Sequence, residues 1–141
     1  MIDIAIVAYH QSDCVSQAGA ANEVELIMPQ LRAVFDQVGL TNAQDVDFVC
    51  SGSCDYLQGA AFAFVAGVDA LGAVPPIKES HVEMDAAWAL FESILKIRMG
   101  HADSALIYGF GKSSPGDLPT VMSLQLDPYY LAPQWVDSIS L

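Results

Sequence analysis

Residues 77–110, I-K-E-S-H-V-E-M-D-A-A-W-A-L-F-E-S-I-L-K-I-R-M-G-H-A-D-S-A-L-I-Y-G-F, read as strand, helix and strand in succession. Ile77–Val82 is a short extended segment. Ala86–Met99 carries Ala87, Trp88, Phe91, Ile94 and Leu95 at helical spacing, which predicts an amphipathic helix with those residues facing inward. Lys96 and Arg98 suit the negative end of its dipole, and Gly100 supplies a cap. Ala102–Phe110 then returns to an apolar, β-rich run. A helix between two strands carries the chain back to start the next strand in the same direction, so this unit predicts parallel pairing.

The pattern extends toward the amino terminus. Ile2–Tyr9 (IDIAIVAY) and Val46–Cys50 (VDFVC) are short apolar runs that predict buried strands. Asn22 followed by Glu25 has the spacing of an N-cap and its N3 partner. From there Val24, Ile27, Leu31, Val34, Phe35 and Val38 recur at helical spacing, and Gly39 closes the helix. Pro29 lies within that pattern and is expected to kink the helix or to mark its start. Ser51–Asp55 reads as a turn-rich link. Leu57–Leu71 is apolar on nearly every face and ends at Gly72, as a helix covered on all sides would, before Pro75 and Pro76. Lys112–Leu141 shows no periodicity and holds Pro115, Pro119, Pro128 and Pro133. The alternation predicts one α/β domain over residues 1–141, with a mostly parallel sheet, helices on both faces, and a layered structure larger than this chain.

Composition narrows the function classes. The 141 residues are 53% apolar and 16% charged, with 17 acidic and 5 basic residues and a net charge of -12. That field repels phosphate backbones and argues against nucleic-acid binding. No apolar run approaches the ~18 to 20 residues of a membrane span, the longest (around Gly59–Ala70) being interrupted by Asp69. Met1–Tyr9 contains Asp3 and no basic residue, so no signal peptide is expected there. Cys14, Cys50 and Cys54 are an odd set with no disulfide framework, which suits a reducing cytoplasm.

Several residues invite chemistry. His81, Glu83 and Asp85 alternate and share one face if the segment is extended, which makes a metal site conceivable. His-x-Glu also opens a zinc-deaminase signature, but the required Pro-Cys-x-x-Cys is absent. The plainer reading is a polar strand end feeding a capped helix. Gly109–Ser114 (GFGKSS) lacks the full spacing of a phosphate loop, and Lys112 reads as a turn or interface cation. Tyr129, Tyr130 and Trp135 either anchor packing or line an acyl tunnel.

Ser80–Leu118 resembles the thiolase superfamily, in particular its sterol-carrier/lipid-transfer type. Thiolases place a nucleophilic cysteine at a helix start, in a Cys-x-x-Gly pattern followed by a small and apolar helix, Gly-x-x-Asp, a strand and a Gly-rich turn. Setting Gly100 and Asp103 on Gly-x-x-Asp puts Glu83 at the nucleophile position and Ala86 at the motif glycine. A-L-I-Y-G-F-G-K is similar to the A-L-x-x-G-F-E-K turn of that type, with Gly111 where Glu is usual. Lipid-transfer proteins with thiolase domains are similar through E-S-H-V-E-M-D, G-F-G-K-S-S and Q-L-D-P-Y-Y.

The resemblance implies an incomplete, layered thiolase-like fold: the amino-terminal part of a longer protein, or one half of a split heteromer. It implies a CoA thioester as substrate, with no resident cofactor or metal. It implies a dimer, or a hetero-oligomer with an OB-fold partner or with a missing carboxyl-terminal half that carries the family's His and Cys motifs. Without the cysteine, thiolysis through an acyl-enzyme is disfavoured. Relatives lacking it cleave β-hydroxyacyl-CoA of a steroid side chain by a retro-aldol reaction. On that reading Glu83, with His81 beside it, is a catalytic acid or base; on the plain one Glu83 caps the helix. Cys54 stands before the wrong helix for a thiolase nucleophile, Cys50 reads as core and Cys14 as a loop residue. Two functions follow: an acyl-CoA acyltransferase or carbon–carbon lyase of lipid metabolism, or a non-catalytic lipid-transfer or partner-binding subunit. A third possibility is an inert fragment.

Overall fold

A computed structural model describes residues 3–16, 19–55, 62–72, 78–112, 127 and 129–134. Three strands form one sheet: β1 (Phe48–Ser53), β2 (Glu79–Glu83) and β3 (Ala105–Gly109). The order is β2-β1-β3, and both pairings are parallel. Helix α1 (Glu23–Val38) precedes the sheet, α2 (Phe64–Leu71) lies between β1 and β2, and α3 (Ala86–Arg98) joins β2 to β3. The fold is α/β, a parallel sheet with helices on both faces, as an incomplete layered structure would have.

Strand alternation sorts the core into two layers. On one face Val49, Leu106 and Tyr108 meet Ile27, Leu31 and Phe35 of α1 and Ala70 and Leu71 of α2. On the other, Phe48 and Cys50 meet Ala89 of α3, with Val82, Ile97, Ala105 and Ile107 around them. Asp47 fixes β3 beside β1. Its carboxylate accepts the Asp103 and Ser104 amides and the Ser104 hydroxyl, each at 3.0 Å. These bonds hold the Asp47 carboxyl below its ordinary value, the Asp103 amide contributing most.

Helix α1 starts and stops where its sequence directs. The Asn22 side chain accepts the Glu25 amide, Glu25 returns the bond to the Asn22 amide, and Gly39 takes the left-handed conformation at φ 72°. The helix runs from Glu23 through Pro29, so Pro29 does not mark its start.

Four expectations need correction. Asp3–Tyr9, within the apolar stretch Ile2–Tyr9, is not a buried strand: Ile6, Val7 and Tyr9 are exposed. Its backbone is bound by a side chain rather than a ladder, Gln37 of α1 pairing with both the amide (3.2 Å) and the carbonyl (3.0 Å) of Tyr9. Residues 51–53 are not a turn but the last half of β1. The apolar segment before Gly72 is helical over Phe64–Leu71, but Val65 is exposed, so it is not covered all round; residues 57–61 of that stretch, and Pro75 and Pro76, lie outside the described residues. Helix α3 faces the opposite way from its predicted orientation. Ala89 and Ser93 are buried, while Trp88, Phe91 and Leu95 are exposed. The sheet lies too close for large side chains, since Cβ atoms built at Gly52 and Gly109 would collide with Asp85 and Ala86. Among the described residues, no helix is long and apolar enough to cross a membrane.

Candidate functional site

Ligands of open α/β sheets bind beyond the carboxyl ends of the strands. Here those ends carry a cluster of polar side chains. Pairing sets Ser51 opposite both His81 on β2 and Tyr108 on β3, and Ser53 opposite Glu83. Odd-numbered positions of β1 and β2 and even-numbered positions of β3 share the face covered by α1 and α2. Tyr108, Ser51 and His81 therefore form one row across the sheet, with Ser53 and Glu83 in the next.

The side chains connect. Ser51 Oγ lies 2.9 Å from His81 Nδ1, and His81 Nε2 lies 3.4 Å from Glu83 Oε2. Glu83 Oε1 accepts the Asp55 amide at 2.8 Å. Tyr108 stands beside Ser51 across the β1–β3 pairing, and burial, the leading cause, pushes its phenol up to about 12. One set of protons satisfies Ser51, His81 and Glu83 together. Ser51 donates to Nδ1, and Nε2–H points at the Glu83 carboxylate. The Phe64 ring stacks on the imidazole at 4.6 Å and 22°.

Exposure is graded along the chain. Ser51 is 4% exposed, while the His81 and Glu83 side chains are 17% and 47% exposed. Helix α2 packs on this row, Phe64 against His81 and Gly67 against Tyr108. A Cβ at Gly67 would stand 2.6 Å from the Tyr108 oxygen, so only glycine lets α2 sit this low. Asp55 holds the turn before α2, accepting the Phe62 amide at 2.6 Å and the Ala63 amide at 3.0 Å. Phe62 is kept at φ 59°, a strained conformation for a non-glycine residue. Ser53 Oγ is the buried side-chain polar atom, among the described residues, that has no hydrogen-bond partner.

The sequence-predicted residues thus come together in part. His81 and Glu83 touch. Asp85 does not join them, because it is the N-cap of α3 and accepts the Ala87 and Trp88 amides at 2.9 and 3.2 Å. The helix-end field that a thiolase nucleophile uses is occupied by Asp85, and Glu83 turns back toward the β1–α2 link. Among the described residues, no group of three His, Cys, Asp or Glu is placed to hold a metal ion. Cys50 is buried on the opposite sheet face, where burial and Glu92 push its thiol up to about 11. Cys14 is exposed and Cys54 half-buried. Lys112 donates to the Ala21 carbonyl, a contact between distant parts of the chain rather than within a turn. Tyr129 and Tyr130 are exposed, and Trp135 lies outside the described residues.

Ser51, Ser53, Asp55 and Tyr108 were not singled out as site residues from sequence. Only the register places them, and the S-G-S repeat, polar on alternate positions, was the available signal. Two of the lysines lie elsewhere. Lys78 and Lys96, with Phe48, Glu79 and His101, line an open cavity of about 540 Å³ at the amino end of the sheet. Comparison with models of known families, with curated proteins and with solved structures finds no match for this chain.

Proposed function

We propose that this chain is the amino-terminal half of a thiolase-like enzyme of acyl-CoA lipid metabolism, in which acid–base chemistry by Glu83 and His81 replaces a cysteine nucleophile. The observation that carries the reading is the Glu83 carboxylate: half exposed at the carboxyl end of the sheet, backed by His81 at 3.4 Å and oriented by the Asp55 amide. A carboxylate so placed is a general base. On a β-hydroxyacyl-CoA it takes the hydroxyl proton as the Cα–Cβ bond breaks. The electron pair moves onto the thioester as an enolate, which is then protonated at carbon.

Two parts of that reaction fall to another segment. The first amides of α3 are taken by Asp85, so donors for the enolate come from elsewhere. The cations Lys78 and Lys96 stand at the far end of the sheet, so the CoA phosphates need other partners near the site. A carboxyl-terminal half or an OB-fold partner fills this role, and the exposed apolar side of α3 is a surface open to such a partner or to a second copy. Three free thiols suit a reducing cytoplasm.

The same apolar side favours a second reading, a non-catalytic subunit that supports a partner or carries lipid. Assays of thioester and β-hydroxyacyl-CoA cleavage, with and without a candidate partner, separate the two. Glu83→Gln is expected to lower turnover of the assembled protein about 100-fold or more. Unchanged turnover removes Glu83 from the mechanism, and no turnover in any assembly leaves the binding role.

A further inference from the structure

We propose that Ser51 is a nucleophile: with His81 as base and Glu83 behind it, the chain accepts acyl groups from activated esters and thioesters and hydrolyses them. Its choice of acyl thioesters rests on the reading above; the serine chemistry does not.

Nucleophilic catalysis by a hydroxyl needs a base in hydrogen-bond contact and a third group that orients the base. Ser51 Oγ to His81 Nδ1 is 2.9 Å, and His81 Nε2 to Glu83 Oε2 is 3.4 Å. A hydrogen on Nε2, facing the carboxylate, leaves the Nδ1 lone pair free to take the serine proton. The imidazole cannot easily turn away, because Phe64 stacks on it and the Asp55 amide anchors Glu83. A second hydroxyl waits on the same strand face. Ser53 Oγ is 1% exposed and has no partner among the described residues. Same-face positions of a strand are about 6.6 Å apart. Ser53 therefore stands too far along the strand to reach the oxygen of an acyl group on Ser51, and the donor to the oxyanion comes from another group.

Entry requires the cover to lift. The Phe62–Phe64 turn lays the Phe64 ring on His81, and it is tied down by the Asp55 carboxylate and strained at Phe62. Those two amides are the bonds to be released, and release also relieves the backbone strain.

The reaction balances with water as the only co-reactant. Ser51 Oγ bonds to the carbonyl carbon as its proton moves to His81 Nδ1. The tetrahedral oxyanion collapses, the carbon–sulfur or carbon–oxygen bond breaks, and His81 returns the proton to the leaving thiolate or alkoxide. Water then attacks the acyl-serine, giving one proton to His81. Collapse releases the carboxylic acid, and Ser51 regains the proton from His81.

The full chain is treated with a fluorophosphonate, and with p-nitrophenyl acetate, followed by peptide mass spectrometry. The expected result is a single adduct on Ser51 in the unsubstituted chain, with p-nitrophenol release lowered about 100-fold in Ser51→Ala and in His81→Ala variants of unchanged circular dichroism. No Ser51 adduct, or release that Ser51→Ala leaves intact, overturns the proposal and shows a buried network that only satisfies its own hydrogen bonds. The adduct on unsubstituted protein does not depend on any variant folding. Its absence leaves the acid–base reading of Glu83 standing. Its presence without turnover of any acyl-CoA supports the nucleophile and removes that reading.

Discussion

The backbone of Gly52 in β1 lies directly against the backbone of Asp85: a Cβ at position 52 would stand 2.2 Å from the Asp85 carbonyl oxygen and 2.8 Å from the Ala86 amide nitrogen. Neither neighbour is a side chain that can swing aside. Gly52→Ala is therefore expected to push the start of α3 off the sheet, at a cost of about 1–3 kcal/mol. Chemical denaturation of the variant measures it, and unchanged stability would mean that the helix start is not seated as described.

Two acidic residues that look alike in sequence differ in what they hold. Asp85 caps α3 through the Ala87 and Trp88 amides, whereas Glu83 binds the Asp55 amide. Asp85→Ala is expected to cost about 0.5–2 kcal/mol, and Asp85→Asn much less. Glu83→Gln retains an acceptor for Asp55 and is expected to leave the melting temperature nearly unchanged while altering activity. A larger loss of stability from Glu83→Gln than from Asp85→Ala would reverse these assignments.

This contrast shows what the sequence could reveal. Helix α1 was legible because Asn22, Glu25 and Gly39 act locally, through bonds a few residues long. The parallel α/β arrangement was legible because the alternation of elements dictates it. Three features were hidden because they depend on distant neighbours. A short apolar run such as Asp3–Tyr9 becomes a strand only if a strand edge meets it, and here Gln37 binds its backbone instead. Helix α3 has two apolar sides, and the closeness of Gly52 and Gly109 selects the one with Ala89 and Ser93. In the candidate site, the His81–Glu83 contact follows from period-2 alternation along one strand. The addition of Ser51 and Tyr108 depends on a three-strand register that no local pattern encodes.

Alkaline pH should test the buried row. Burial raises Tyr108 from 10.0 to about 12 and Cys50 from 9.0 to about 11. Both groups stay protonated in the folded chain at pH values where the unfolded chain has released its protons. Their contribution is complete below pH 9 and is lost as pH rises through 11 to 12, by up to about 1.4 kcal/mol per pH unit per group. Tyr108→Phe is expected to flatten the fall in stability above pH 10, where the unfolded phenol titrates. Denaturant midpoints against pH, with phenolate absorbance alongside, give the answer; a normal titration of Tyr108 in the folded chain contradicts its burial.

Acid pH acts with the opposite sign at Asp47. Its carboxyl is held below the ordinary 3.8 by the Asp103 and Ser104 amides and the Ser104 hydroxyl. A depressed carboxylate contributes stability above the unfolded value, and that contribution is lost as pH falls through the folded one. Stability is expected to drop below about pH 4, and Asp47→Asn is expected to remove part of that pH dependence. Midpoints that run parallel for the two proteins on acidification would exclude Asp47 as a contributor.

The exposed side of α3 gives the last test. Met84, Trp88, Phe91, Leu95 and Met99 recur at helical spacing and are all exposed. Burying such a stripe against another apolar surface is favourable in proportion to the area removed from water. A second copy fits it by charge as well. An antiparallel pair of α3 helices sets exposed Arg98 at one end against exposed Glu83 and Asp85 at the other, with opposed dipoles. The net charge of -12 on each chain opposes the pairing, so added salt is expected to strengthen it. Sedimentation should therefore show mass above the 15.1 kDa monomer, increasing with ionic strength, and Phe91→Glu should return the chain to the monomer mass. Because Phe91 is half exposed, the substitution is expected to change monomer stability by no more than about 0.5 kcal/mol. A wild-type chain that stays monomeric at high salt rules out self-pairing and leaves the stripe to a different polypeptide.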